Sequence, residues 1–322
     1  MAKENVPAPK FRTSIGGQAL IEGILMRGPG KQAIVVRSPE GLVEKVEELT
    51  LVRDKYPILG LPVIRGAVTF VDSMVKGVKA LMFSADYFPD EDLAEPSKFD
   101  QWLEKKFGSE KMSKFITALA VVLSLGLTIL LFFLLPTFLA GFIDPFIKSV
   151  TIHNLIESII KLIIFFGYLL LCSKQKDIYR VFQYHGAEHK TIFCYEAGLP
   201  LTVENVRIQP RHHPRCGTSF LFVVIFVSIL VSSVVFGIWP ITNAGLRTLV
   251  HLLLLPLVVG FTYEFNRWVG RHVQDSKLAQ FLTAPGLWMQ NFTTNEPDDS
   301  MIECAIRSLE LVLPSEKGKD AW

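Results

Sequence analysis

Four stretches of the chain are apolar for longer than a core helix of a small soluble domain requires. Phe115–Leu135 and Thr218–Trp239 carry no charge. Ile156–Cys172 carries Glu157 and Lys161, and Leu246–Tyr263 carries His251 and Pro256, with Arg247 at its start. About 20 apolar residues are enough to cross the hydrocarbon core of a bilayer, so each run predicts a spanning helix. Short connections pair them into two hairpins. Glu157 and Lys161 are one turn apart and are expected to pair, His251 reads as a satisfied packing residue, and Pro256 predicts a kink.

Outside the runs the periodicity changes. Gly16–Gly28 reads as a glycine-punctuated strand with Glu22 in mid-run. Ala33–Arg37 and Leu42–Leu49 flank Ser38-Pro39-Glu40-Gly41 and predict a hairpin. From Val63 to Phe83, Ile64, Val68, Val71, Val75, Val78 and Met82 recur at helical spacing, predicting an amphipathic helix that either covers the small sheet, the first reading, or lies on the membrane face. Ser84–Asp100 is acidic and proline-bearing and reads as a linker. Phe99–Phe107 brings Trp102 and Phe107 towards the membrane surface. Near the end, Met301, Ile302, Ala305, Ile306 and Leu309 share one face of a helix over about 300–312, with Asp298 and Asp299 at its positive end. The expected fold is an α+β integral membrane protein with four transmembrane helices, a small cytoplasmic α/β N-terminal region and a helical C-terminal segment. Its expected divisions are 1–83, 84–114 (linker and interfacial helix), 115–172 (first hairpin), 173–217, 218–263 (second hairpin) and 264–322.

Composition supports a membrane protein: half of the 322 residues are hydrophobic, 24 of them Phe, and the net charge is only +2. The charge that matters is local. Lys105, Lys106, Lys111 and Lys114 precede the first run. Lys174, Lys176, Arg180, Lys190, Arg207, Arg211 and Arg215 lie between the second and third, and Arg267, Arg271 and Lys277 follow the fourth. The other loops offer Lys148 and Arg247. The positive-inside rule then puts both termini and the segment 173–217 in the cytoplasm of a bacterial cell, with the chain multi-pass in the plasma membrane. Nothing at the N-terminus reads as a signal peptide, and the four cysteines form no C-x-x-C or disulfide framework. The basic excess suits anionic headgroups of the lipid bilayer, and no nucleic-acid module is visible.

Chemistry concentrates between Tyr184 and Cys216, where four of the seven histidines and two of the four cysteines fall. His185-Gly186-Ala187-Glu188-His189 is an H-x-x-E-H motif. On a helix both imidazoles leave one face and can grip a single Zn2+, with Glu188 beside them to act on a metal-bound water. Candidates for a third ligand are Glu264, at the cytoplasmic end of the fourth run, His213 and Cys216. Arg211 and Arg215 are candidates to bind an anionic headgroup or an oxyanion, and Glu22 and Arg27 to stand near the site. The glycines of Gly16–Gly28 match no nucleotide fingerprint; they suit close backbone approach.

The blocks Gly16–Gly28, Tyr184–Lys190, Leu201–Val206, Arg211–Phe220, Tyr263–Arg267 and Pro285–Pro297 together resemble those of the YqhQ-like bacterial membrane proteins, and the resemblance runs over nearly the whole chain. It implies a domain of unknown function that is often labelled a predicted metal-dependent enzyme. Two functions fit the residues: a zinc-dependent hydrolase at the inner membrane surface, or a non-enzymatic factor that assists other membrane proteins, its His/Glu/Arg cluster being structural. A transporter fits less well, because four spans with few intramembrane charges leave little to build a path from.

Overall fold

Strands β1 (Gly16–Leu20), β2 (Gly23–Arg27), β3 (Lys31–Ser38) and β4 (Gly41–Glu48) form an antiparallel meander in the order β1-β2-β3-β4. The computed structural model describes residues 9–50, 56–88, 109–143, 145–147, 149–241, 243–316 and 318–321. The expected linker and the interfacial segment at 99–107 lie outside the described residues from 89 onward. The hairpin at Pro39-Glu40 is as expected, with Ser38 opposite Gly41. The single strand expected over Gly16–Gly28 is instead two strands. Glu22 lies in the turn between them with φ of 48°, a left-handed conformation that few non-glycine residues adopt.

The helices are α1 (Ile64–Ala85), α2 (Ser109–Ile129), α3 (Leu135–Gly141), α4 (Val150–Ser173), α5 (Lys176–Glu196), α6 (Val203–Arg207), α7 (Gly217–Ile238), α8 (Ala244–His272), α9 (Lys277–Thr293) and α10 (Asp299–Val312). One π turn, Leu130–Leu134, joins α2 to α3. The stretches Ala118–Gly141, Val150–Ser173, Gly217–Ile238 and Ala244–His272 are long and apolar enough to cross a membrane. They coincide with the four runs read from the sequence. Pro256 lies inside α8.

The chain forms two compact units, whose boundaries fall within α4, α7 and α8. The first comprises residues 1–88, 169–228 and 256–322. Strand alternation gives its sheet two buried faces. Ile24, Met26, Ala33 and Val35 pack against Tyr184, Ala187 and Ile192 of α5 and Met301, Ile302, Ala305 and Leu309 of α10. Leu20, Leu25, Ile34 and Val36 pack against Ala80 and Phe83 of α1. Here α1 differs from expectation. Its small residues Gly77, Ala80 and Ser84 are buried, whereas Val71, Val75 and Met82 of the expected packing stripe are exposed.

The second unit comprises residues 89–168 and 229–255. Asn154, Glu157, Ser158, Lys161 and Phe165 line the buried face of α4. Glu157 pairs with Arg247 at 2.6 Å rather than with Lys161, and accepts from Thr137 at 2.9 Å. His251 lies 3.3 Å from the same carboxylate, and Arg247 also reaches Asn154 at 2.6 Å. The Lys161 ammonium lies over the Phe133 ring instead. An arginine fork satisfies a buried carboxylate at two points, which a single ammonium cannot.

Candidate metal centre

Helix α5 puts His185 and His189 one turn apart on the same face, with ring centroids 4.4 Å apart. Cys216 immediately precedes α7. Its sulfur lies 3.1 Å from His185 Nε2, 3.2 Å from Thr218 Oγ1 and 3.4 Å from the Thr218 amide nitrogen. One ligand atom from each of His185, His189 and Cys216 lies within 4.8 Å of the others. Around a tetrahedral zinc, bond lengths of about 2.0 and 2.3 Å put N and S ligands about 3.6 Å apart, so the trio is already near that spacing.

The tautomers follow from backbone partners. His185 Nδ1 is 2.8 Å from the carbonyl of Thr293, the last residue of α9, where helix carbonyls lack an internal acceptor role. His189 Nδ1 is 2.5 Å from the Arg211 carbonyl. A carbonyl only accepts, so each ring must carry its hydrogen on Nδ1. That leaves both Nε2 lone pairs available, the arrangement usual for zinc-bound histidine.

Electrostatics favour a thiolate at Cys216. Burial opposes it, but the neighbouring His185 and His189 outweigh burial and hold the thiol well below its usual range. A helix N-terminus acts in the same direction. Burial likewise opposes protonation of His185, yet the charge and hydrogen bond of Cys216 raise it to about 9. Both shifts run towards a thiolate beside a protonated imidazole, and a bound metal would take the place of that proton on His185 Nε2. Glu188 is buried and its carboxyl is pushed up, chiefly by burial, with His189 and His185 pulling the other way. Its Oε1 accepts the Gly17 amide at 2.9 Å. Gly17 is required there: a Cβ at that position would stand 2.6 Å from the Leu25 carbonyl oxygen and 3.1 Å from the Glu188 carboxyl carbon.

A cavity of about 650 Å³ opens onto the cluster, lined by His185, Glu188, His189 and Cys216 on one side and by β1 and Arg27 on another. Arg27 donates to Ser73 Oγ at 2.9 Å, and burial lowers its pKa. Glu22 is not part of this cavity. It binds Arg180 through both carboxylate oxygens and accepts from Tyr184, one turn after Arg180 on α5.

Of the three expected third ligands, Cys216 joins the two histidines. Glu264 does not: it is held by Arg65 at 2.7 and 2.5 Å and by the Val63 amide. His213 stands behind His189, with ring centroids 5.6 Å apart, and its Nε2 is 3.8 Å from Glu196. Arg215 is bonded to the same buried Glu196, so its guanidinium serves a carboxylate of this chain. Arg211 contributes its carbonyl. The close approach expected of the Gly16–Gly28 glycines is made by Gly17, while two further supporting groups, the Thr293 carbonyl and Gln290, were not read from the sequence. The Gln290 side chain bridges the amide and carbonyl of His213 at 2.7 and 2.8 Å and so fixes the loop that carries Cys216. All three lie inside the blocks Gly16–Gly28 and Pro285–Pro297, which were the available signal.

Residues 61–315 match the family described as "Protein of unknown function (DUF1385)". The chain belongs to that family. It is also similar to "Uncharacterized protein YqhQ" of Bacillus subtilis (strain 168), 35% identical over 318 residues, which cover 97% of this chain and 95% of that protein. No solved structure matches. The DUF1385 match contains His185, Glu188, His189 and Cys216 and begins after the sheet that supplies Gly17. The likeness to YqhQ takes in the sheet as well.

Proposed function

We propose that this member of the DUF1385 family is an integral membrane protein that binds a transition metal, zinc by its donor set, through His185, His189 and Cys216. We place this centre at the cytoplasmic face and assign it hydrolysis of an ester or amide. One observation carries the reading: both imidazoles spend Nδ1–H on backbone carbonyls and present Nε2 beside a thiol that favours its thiolate. Two neutral imidazoles and a thiolate are a zinc donor set with a fourth position open to water.

A metal held there would lower the pKa of a coordinated water towards neutrality. Glu188 is the base. Its raised carboxyl lies nearer neutral pH than an exposed glutamate and can take a proton from water and return it to the leaving alcohol or amine. The Gly17 amide orients the carboxylate while the cavity leaves room for a substrate. The loop held by Gln290 keeps Cys216 in place.

A second reading is favoured by the Gly17–Glu188 bond, which ties β1 to α5: a structural metal or thiolate–imidazolium knot in a non-enzymatic assembly factor. Metal stoichiometry of purified protein separates the possibilities. His185→Ala and His189→Ala are expected to lose the metal, and Cys216→Ser to bind it at least about tenfold more weakly. Glu188→Gln is expected to keep it and to lose turnover, whereas a structural knot would lose thermal stability instead. Metal-free wild-type protein under metal-replete conditions would end the metal-centre reading.

A further inference from the structure

A second cavity, of about 900 Å³, adjoins the first and shares Ser14, Arg215 and Cys216 with it. Its walls differ in kind. Phe70, Met74, Val78 and Leu81 of α1 form one side and Phe220 of α7 the other, Phe70 and Phe220 stacking with centroids 5.9 Å apart. Arg267 and Arg271, one turn apart on α8, also line it. Among the described residues neither forms an ion pair; Glu264 feels the charge of Arg267 but is held by Arg65. The volume is that of a small-molecule site. One cavity thus brings together the Cys216 thiol, an apolar wall and two cations.

The outward side of α1 shows what surrounds this groove. Val71 and Val75 are 59% and 51% exposed, and Ile64 and Met82 are exposed beside them. A contiguous apolar face of this kind on one helix calls for a cover. Its first turn is seated on a spanning helix: a Cβ at Gly66 would lie 2.6 Å from Tyr263 Cβ and 2.9 Å from Gly260 Cα, both on α8. The cover continuous with a spanning helix is the bilayer, and an amphipathic helix in that position lies in the interface. A groove walled by such a helix opens to lipid. A free anion would need only the arginines, whereas the row of apolar side chains suits a chain attached to it.

We propose that this groove holds an acyl chain of an anionic membrane lipid, its phosphodiester on Arg267 and Arg271, and that such a lipid is the substrate presented at Cys216. Its role as substrate rests on the metal-centre reading; the groove itself does not. The test reconstitutes the full chain in phosphatidylcholine nanodiscs containing phosphatidylglycerol with a photoactivatable acyl chain, and maps the labelled residues. Labels are expected on Phe70–Leu81 and Phe220. Val78→Trp, which fills the groove, should cut them about tenfold, while Val78→Leu, which leaves it open, should not. Arg267→Gln combined with Arg271→Gln should bring phosphatidylglycerol labelling down to that of a phosphatidylcholine probe. The same pattern should persist in His185→Ala. Labels spread over the spanning helices, unchanged in Val78→Trp and equal for the two headgroups, would overturn the groove. Metal content measured on the same samples keeps the two failures apart. A metal-free wild type that still labels sinks the centre alone, and a metal-loaded protein without groove labelling sinks the lipid alone.

Discussion

Two backbone carbonyls, from Thr293 and Arg211, decide which nitrogen of each histidine faces the centre. No side-chain pattern reports such acceptors. The H-x-x-E-H spacing was therefore legible as two imidazoles on one helix face, but not the tautomers that turn Nε2 of each towards the cluster. Cys216 was legible as one of three candidates. Glu264 was a reasonable rival by position, and it fails because Arg65, 199 residues away in sequence, reaches it first. The neighbouring His213 gives a pH test. Burial drives its pKa down to about 4, with Glu196 opposing. Between about 6.5 and about 4 the unfolded chain binds more protons than the folded one, so stability falls as pH falls through that window, by up to about 3 kcal/mol. His213→Asn keeps an acceptor for the Arg215 amide, bonded at 3.3 Å, and cannot titrate. The variant should show a shallower acid slope than wild type in thermal melts between those pH values.

At the scale of elements, helices were the most legible part because their apolar periods are long. The four helices long and apolar enough to cross a membrane, and α10, lie where the pattern puts them. The turn at Glu22 was not legible. A charge inside an apolar run reads as a solvent-facing strand position, whereas here Arg180 and Tyr184 draw it into a left-handed turn. For α1 the pattern left sheet and membrane face both open, and the stripe does not pack on the sheet. Periodicity reports an apolar face but does not say whether protein or lipid covers it. Contact between α5 and the segment after α9 depends on Gly186, where any Cβ would run into the Asn295 carbonyl while Asn295 donates to the Phe182 carbonyl at 2.8 Å. Gly186→Ala, although better for helix propensity, should destabilise by about 1–3 kcal/mol through overpacking, read as a lowered Tm. At the other end of that segment Asp298 caps α10, accepting the Met301 amide at 3.0 Å. Asp298→Ala should cost about 1 kcal/mol in the same assay.

For the molecule as a whole, the prediction concerns sidedness. The basic residues gather in 173–217 and after the fourth span, and lipid surface charge attracts them on one side only. In a Cys172→Ser background, a membrane-impermeant thiol reagent applied to intact cells should label Asn243→Cys and spare Ile208→Cys. Both positions are exposed, so access rather than burial decides the result. The opposite labelling would invert the topology and put the His185–His189–Cys216 cluster on the other face.

The closing contacts of the first unit carry a consequence for biosynthesis. Thr13 donates to Asp320 at 2.7 Å, Tyr195 donates to the same carboxylate at 3.0 Å, and residue 13 bridges residue 321. Gly17 waits for Glu188, and His185 waits for Thr293. Contacts of such long sequence separation form late, since the loop must close before they repay it. A ribosome making this chain therefore releases Gly17 long before Glu188 exists, the cluster cannot assemble until Thr293 has emerged, and Thr13 waits longer still for Asp320. An engineered stop codon just after Val312 removes Asp320 and should yield a chain that still inserts into the membrane yet is cleared by proteolysis faster than the full-length protein.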